Sequence, residues 1–342
     1  MPIRKDTADR PQIERLSPQA AIPGGEIQIR GRGLAPSKTP RVTLGAVPAP
    51  VIIGSDALVI VRVPEGVTEG ELTVANGERP GVSHPCQIGV QIADSMHAVA
   101  NPAVDPKGNV FTTFSGSRGQ KTPVAVYKVA PGGNVTPFVA DLMNATGLAF
   151  DRAGSLYVSS RHDGIVYTAG ADGSLSVYVE GMGIATGLAF DAAENLYVGD
   201  RSGTIFKISR ERQIYVFATL EPSISAYHLA FGSDGFLYVT GPTTSSFDSV
   251  YRISPGGESE VFYRGLGRPQ GLAFDAEGCL YIAASLGGRK GIVRIGDERA
   301  AELFLSGPNI VGLAFTPSRS MIVAASHALY RVDVGIKGKA LP

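Results

Sequence analysis

Tryptophan is absent from this 342-residue chain, cysteine occurs only twice, and there is no long apolar run. The two cysteines, Cys86 and Cys279, are too few for a disulfide framework and form no CxxC pair, so we expect buried thiols. No stretch approaches the roughly 18 apolar residues of a membrane-spanning helix. The sequence therefore predicts no membrane partner.

Excess charge of either sign is also absent, because Lys plus Arg and Asp plus Glu number 31 each. Nucleic acid is not expected as a partner, since no global positive field and no tryptophan for base stacking are present. Residues 1–10 are polar and contain no apolar core of a signal peptide. We expect a flexible N-terminus and a cytoplasmic protein, or an exported one if the chain was trimmed from a longer precursor.

Glycine is what the chain has in excess, with 43 residues against an ordinary share of about 7%. The glycines are interleaved with Val, Ile, Leu, Tyr and Phe, and 23 prolines accompany them. Glycine and proline supply turn geometry, so short strands joined by tight turns are predicted. The sequence indicates an ordered all-β protein.

An internal repeat occupies the chain from about residue 101 to residue 334. Five copies read GLAFDRAGSLYVSS, GLAFDAAENLYVGD, HLAFGSDGFLYVTG, GLAFDAEGCLYIAA and GLAFTPSRSMIVAA, after a degenerate copy, NPAVDPKGNVFTTF. Their central alanines are separated by 46, 40, 41, 43 and 41 residues. Each period holds four short β-runs, which a solenoid of two-strand repeats would leave partly unexplained. Six four-stranded units predict a six-bladed β-propeller.

The sixth unit lacks an outermost strand, because little chain remains after Val334. An unpaired sheet edge is a liability that propellers remove by borrowing a strand from the other terminus. We therefore predict that Ile88–Ala93 completes the unit of residues 312–334. A fourth strand from the C-terminal tail is the alternative.

The residues before this segment lack the repeat but contain alternating runs broken by Gly24-Gly25, the glycines of Ile27–Gly33, and Asn76-Gly77. In this order they resemble a TIG/IPT domain, which implies an immunoglobulin-like β-sandwich that serves as a spacer or interaction module. We predict a flexible segment 1–10, a sandwich at 11–92 and a propeller at 93–342.

In a propeller, the loops before the innermost strands and after the second strands converge at one mouth of the central channel, the default ligand site. The predicted ligand-binding residues there are Thr146, Arg161, Thr186, Asp200, Arg201, Tyr227, His228 and Gln270. Bases also follow several second strands in neighbouring units and could attract an anion; they are Arg118, Lys121, Arg161, Arg201 and Arg289-Lys290.

The repeat resembles NHL-type propellers and the senescence-marker-protein/gluconolactonase family. That resemblance implies Glu, Asn and Asp ligands for a divalent metal at the channel mouth. The corresponding positions here are neutral: Ala100, Thr146, Thr186, Tyr227, Gln270 and Val311. Asp200 is the only carboxylate that directly follows a second strand, so a divalent cation is disfavoured and no cofactor is predicted.

Three functions remain open. The favoured hypothesis is a non-enzymatic binding protein whose channel mouth takes a small, anionic molecule or a peptide. The alternatives are a divergent gluconolactonase-like hydrolase or isomerase and a purely structural module. No catalytic residue is assigned; Asp200 and His228 are the candidates if the protein is an enzyme. The oligomeric state stays open.

Overall fold

The computed structural model describes residues 11–35, 39–76, 81–116 and 120–341. The segment 1–10 that we expected to be flexible lies outside this range, as do Gly77 and Arg118. The chain divides into two compact units. The first runs to Val90 and includes Leu303–Pro308; the second comprises Gln91–Glu302 and Asn309–Pro342.

The all-β prediction is confirmed. The described part of the chain contains one helix, a single 3₁₀ turn at Asp297–Arg299, and otherwise strands and turns. Nowhere in that part is a helix long and apolar enough to cross a membrane.

The first unit contains two four-stranded antiparallel sheets. Their strands are β1 (Gln12–Ser17), β3 (Glu26–Arg32), β4 (Arg41–Leu44), β5 (Val47–Pro48), β6 (Val51–Gly54), β7 (Leu58–Arg62), β8 (Glu71–Ala75) and β9 (Val82–Pro85). One sheet has the order β1-β3-β7-β6 and the other β5-β4-β8-β9. Two short strands, β2 (Ala20–Ala21) and β10 (Gln87–Ile88), pair parallel with each other.

Alternation of apolar and polar residues builds the core of this unit. Ile27 and Ile29, Val59 and Val61, and Leu72 and Val74 are fully or nearly fully buried, while the residues between them are more exposed. Side chains two apart in a strand point to one face, so both sheets turn an apolar face into one core.

The second unit contains sheets of consecutive antiparallel strands, each sheet corresponding to one copy of the repeat. The first four sheets are β12 to β15, β16 to β19, β20 to β23 and β24 to β27. Their strands are β12 (Ala103–Val104), β13 (Val110–Thr113), β14 (Val124–Val129), β15 (Val135–Ala140), β16 (Ala145–Phe150), β17 (Leu156–Ser160), β18 (Ile165–Ala169), β19 (Leu175–Val179), β20 (Ala185–Phe190), β21 (Leu196–Asp200), β22 (Thr204–Ile208), β23 (Ile214–Thr219), β24 (His228–Phe231), β25 (Leu237–Thr240), β26 (Asp248–Ile253) and β27 (Ser259–Leu266).

The fifth and sixth sheets complete the second unit. The fifth holds β28 (Leu272–Phe274), β29 (Leu280–Leu286) and β30 (Arg289–Ile295). Most of the next strand, β31 (Ala301–Ser306), groups with the first unit, where Leu305 and Ser306 pair parallel with β2.

The sixth sheet contains β11 (Val90–Ala93), β32 (Ile310–Phe315), β33 (Met321–Ala325) and β34 (Leu329–Val332). Their order in the sheet is β11-β34-β33-β32. The borrowed strand is thus shorter than the predicted Ile88–Ala93, because Ile88 pairs with Ala21 in the first unit.

Successive sheets of the second unit pack through the repeat's Tyr and Phe residues. T-shaped ring pairs join Tyr157 to Phe190, Tyr197 to Phe231, Tyr238 to Phe274 and Tyr281 to Phe315, with centroids 4.8 to 5.2 Å apart. Such pairs each contribute roughly 0.5–1.5 kcal/mol beyond burial. Residues of the sixth and first sheets, among them Ile322 and Val110, share one apolar cluster, so the last sheet packs on the first.

Candidate functional site

The loops where innermost strands begin and second strands end carry an arginine in each of two neighbouring sheets. Arg161 follows β17 and Arg201 follows β21, in neighbouring sheets. Arg161 is half-buried and donates a hydrogen bond from Nη2 to Ser115 Oγ at 3.1 Å, while Arg201 Nε donates to the carbonyl of Ser223 at 3.1 Å. We call these four residues the arginine rim.

The positive charges of the arginine rim are not paired with carboxylates in the described part of the chain. Burial and then the nearby charge of Arg201 lower the pKa of Arg161. Within the described residues neither arginine forms an ion pair with a carboxylate, and both are held by neutral oxygens. Two guanidinium groups that repel each other, neither of them paired with a carboxylate, favour an anion.

Asp200 precedes Arg201, but its carboxylate is committed to its own loop. Oδ1 accepts hydrogen bonds from the backbone N–H groups of Ile184 at 2.9 Å and Ser202 at 3.3 Å, and Oδ2 accepts from the Ser202 hydroxyl. The side chain is buried. Asp200 therefore positions the loop that carries Arg201, without pairing with that arginine.

The predicted threonines lie inside the sheets. Thr146 and Thr186 are each 1% exposed. Thr146 Oγ1 donates to the Asn144 carbonyl at 3.0 Å, and Thr186 Oγ1 donates to the Gly199 carbonyl at 2.7 Å while accepting from the Tyr227 N–H at 3.2 Å. Their hydroxyls join backbone segments and have little capacity left for a ligand.

Tyr227 and His228 are buried as well. The Tyr227 hydroxyl donates to the Glu221 carbonyl, and burial chiefly raises its pKa. His228 is 3% exposed; burial lowers its pKa to about 4, so the imidazole is neutral at pH 7. Its Nε2 has no hydrogen-bond partner among the described residues.

Gln270 and Lys121 form contacts outside the arginine rim. Gln270 is half-buried, and its backbone carbonyl accepts a hydrogen bond from the Thr240 hydroxyl at 2.5 Å. Lys121 is neutralised by Asp141, with Nζ and Oδ1 2.8 Å apart. Of the predicted basic residues, Arg161 and Arg201 influence each other electrostatically, since the charge of Arg201 lowers the pKa of Arg161.

Apolar side chains that the sequence analysis missed flank the arginine rim. The Ile184 carbonyl accepts from the Arg201 N–H at 3.2 Å, and Ile224 follows Ser223. Ile184 is 40% exposed and Ile224 is 42% exposed. Both residues lie in loops that precede an innermost strand, and this position in the repeat could have predicted their place at the channel mouth.

No three His, Cys, Asp or Glu side chains among the described residues are arranged to hold a metal ion. The divalent cation discussed above therefore has no candidate ligand set in residues 11–35, 39–76, 81–116 and 120–341. Our expectation that the protein needs no cofactor stays a prediction.

The opposite ends of the innermost strands carry a repeated carboxylate turn. Asp191 Oδ1 accepts from the Asn195 N–H at 2.8 Å, and Oδ2 accepts from the Tyr197 hydroxyl at 3.2 Å. Asp275 does the same with the Cys279 N–H at 2.8 Å and the Tyr281 hydroxyl at 3.1 Å. These aspartates fix the turn between the first two strands.

Comparison with known proteins supports the fold. Residues 11–91 match the family model of the IPT/TIG domain. No curated protein matches the chain. Among solved structures, a Bacteroides thetaiotaomicron protein of unknown function is 15% identical over 96% of this chain and 98% of its own, with a TM-score of 0.59.

Two further solved structures are similar. A putative gluconolactonase is 16% identical over 74% of this chain and 94% of its own, with a TM-score of 0.60. An auxiliary nutrient binding protein from Bacteroides ovatus is 12% identical over 95% and 98%, with a TM-score of 0.57. At these identities the likeness concerns the fold alone; it is consistent with a β-propeller that follows a TIG-like region.

Proposed function

We propose that the protein is a binding protein whose arginine rim takes a small anion at the mouth of a six-bladed propeller, with an immunoglobulin-like sandwich as spacer. The blade count is supported by the six sheets of the second unit and by the apolar cluster that the sixth and first sheets share. The observation that carries the function is the Arg161–Arg201 pair without a counter-ion.

The chemistry of the ligand follows from the two guanidinium groups. Each presents a planar fork of N–H donors that matches a carboxylate or phosphate oxygen pair. Two such forks in neighbouring sheets suit a dianion, such as a dicarboxylate, a sugar phosphate or an acidic peptide terminus. Ile184 and Ile224 beside the rim would cover an apolar part of the same molecule.

The similar proteins are compatible with this proposal. One of them is described as an auxiliary nutrient binding protein, and the match to this chain extends over 98% of that protein's length. We extend only the class of activity, reversible binding of a small molecule, to this chain.

The hydrolase alternative has less support in the geometry. It requires Asp200, Tyr227 and His228 to act together on a substrate. The Asp200 carboxylate is held by two N–H groups and a hydroxyl, the Tyr227 hydroxyl is bonded to a carbonyl, and His228 is buried. A purely structural role leaves the uncompensated charge of Arg161 and Arg201 unexplained.

Titration calorimetry tests the proposal, with citrate, glucose 6-phosphate and gluconate as anions and glucose as the neutral control. We expect one of the anions to bind with one-to-one stoichiometry and glucose to give no heat. Arg161→Gln/Arg201→Gln should weaken that binding at least tenfold. Arg264→Gln, an exposed arginine outside the rim, is the matched control and should leave the affinity unchanged.

A lactone and aryl-ester panel on the same variants tests the alternative. Turnover lost in both Asp200→Ala and His228→Ala would favour the hydrolase over the binding protein. Equal anion affinity in the wild type and the arginine double variant would contradict the proposed site.

A further inference from the structure

A cavity lies at the other ends of the innermost strands, away from the arginine rim. Its volume is about 470 Å³, and a second cavity of about 580 Å³ adjoins it. Both are lined by Val104, Phe315 and residues 338–341 of the C-terminal tail. Cavities of 300–1,000 Å³ accommodate small ligands.

The floor of the first cavity is apolar and comes from the repeat itself. Phe231, Leu272, Phe274, Leu313 and Phe315 line it, together with Phe190 and the motif alanines Ala230, Ala273 and Ala314. Phe274 and Phe315 are held by edge contacts with Tyr238 and Tyr281. The floor is therefore preformed and does not require a ligand to order it.

The C-terminal tail forms one wall and is anchored by backbone pairing. The Ala276 N–H donates to the Lys337 carbonyl at 2.8 Å, and the Lys339 N–H donates to the Phe274 carbonyl at 3.0 Å. Lys339 Nζ donates to the Phe231 carbonyl at 2.7 Å. At Gly338 a Cβ would lie 2.4 Å from the Phe315 Cβ, so only glycine permits this close approach.

The second cavity adds positive charge to this apolar floor. Arg152, Arg319, Lys337 and Lys339 line it, against a single carboxylate, Asp105. Asp105 accepts from the N–H groups of Lys107 and Asn109 at 2.9 and 2.8 Å, which commits it to its own turn. Arg319 and Lys337 are exposed and form no ion pair within the described chain.

An apolar floor beside the exposed cations Arg319 and Lys337 selects ligands that have both an apolar and an anionic part. A purely apolar molecule would make no ionic contact with the cations, and a small polar anion would leave the phenylalanine floor exposed to solvent. We propose that this tail-side cavity binds an amphiphilic carboxylate of about eight carbons, with its chain on the phenylalanine floor and its carboxylate between Arg319 and Lys337. This site is separate from the arginine rim and does not depend on the function proposed there.

Calorimetry on the full chain with octanoate tests this site, with octanol as the neutral molecule of equal chain length. We expect octanoate to bind one-to-one and octanol at least tenfold more weakly. Arg319→Gln/Lys337→Gln should weaken octanoate at least tenfold. Arg264→Gln/Lys290→Gln removes the same charges elsewhere on the surface and should leave octanoate binding unchanged.

Ala314→Phe, which fills the floor without touching the charges, should also weaken octanoate; a thermal unfolding scan checks that this variant folds. If Ala314→Phe does not fold, the affinity of Arg319→Gln/Lys337→Gln for octanoate decides the test alone. Octanol binding as tightly as octanoate, an unchanged affinity in Arg319→Gln/Lys337→Gln, or no binding at millimolar octanoate would overturn the proposal. Octanoate weakened by Arg161→Gln/Arg201→Gln alone would assign it to the arginine rim and would overturn it equally.

Discussion

The two ends of the innermost strands use their charged residues differently. At the tail side, Asp191 and Asp275 accept hydrogen bonds from turn N–H groups and from a tyrosine hydroxyl, and the pattern recurs from sheet to sheet. At the other end, Arg161 and Arg201 occur in two neighbouring sheets and lack a carboxylate partner in the described chain. The aspartates that recur from sheet to sheet therefore stabilise the turns of the fold, whereas the two arginines, which have no carboxylate partner, are available to a ligand.

The largest effect should follow removal of a repeated carboxylate. Asp275→Ala leaves the N–H groups of Glu277 and Cys279 and the buried Tyr281 hydroxyl without their acceptor. Unsatisfied buried groups cost about 1–3 kcal/mol each, so we expect a loss of about 3 kcal/mol in a denaturant titration. The matched control, Asp94→Ala at an exposed site, should change stability by less than about 0.5 kcal/mol. Equal stability of the two variants would refute a structural role for the repeated aspartate.

A somewhat smaller loss is expected at the motif glycine. A Cβ on Gly187 would lie 2.4 Å from the Tyr227 carbonyl oxygen in the next sheet, whereas a Cβ on Gly132 meets nothing within 4 Å. Gly187→Ala should therefore cost about 2 kcal/mol through overpacking. Gly132→Ala should be nearly neutral, and thermal unfolding of both variants measures the contrast. Identical unfolding midpoints would show that neighbouring sheets do not approach closely here.

His228 occupies the motif's glycine position in the fourth copy and should make stability depend on pH. Burial lowers its pKa from the ordinary 6.5 to about 4 in the folded protein, so the unfolded chain binds the proton first as the pH falls. Stability should therefore be lost on going from pH 7 to 5.5, by about 1 kcal/mol from this residue. In His228→Gly that part of the pH dependence should disappear; a parallel loss in both proteins would contradict the burial of His228.

The smallest effect on stability is expected at the arginine rim. Arg161→Gln/Arg201→Gln removes two charges that repel each other and two hydrogen bonds to neutral oxygens. We expect a change within about 0.5 kcal/mol, measured by the same denaturant titration. A loss of unfolding free energy as large as that of Asp275→Ala would show that these arginines stabilise the fold.

The repeat carried most of the information about the fold. Its period and its apolar runs predicted strands and four-strand units, and the Asp–Tyr spacing of the turns at Asp151, Asp191 and Asp275 is visible in GLAFD…LYV. The division of Ile88–Ala93 between two partners was not predictable, because Ile88 and Val90 both suit a strand. Which sheet takes each residue depends on packing that local sequence does not encode.

The candidate site was harder to predict, for a geometric reason. We expected Thr146 and Thr186 at the channel mouth, where they precede the motif glycines. The pairing register shifts between Ala145 and Leu148, and again between Ala185 and Leu188. Such a bulge changes the face to which a side chain points, and its only sequence signal is the motif glycine, Gly147 or Gly187, inside each shifted segment. Arg161 and Arg201 follow their strands directly, so their place was predictable.

The claim on which this account depends is that an anion binds between Arg161 and Arg201. Crystals of the protein soaked with selenate, a dianion that can be located by the anomalous scattering of selenium, test it directly. The account predicts an anomalous peak within hydrogen-bonding distance of both guanidinium groups, which is absent from Arg161→Gln/Arg201→Gln crystals. A rim without selenate in the wild type, or an identical peak in the double variant, would contradict it.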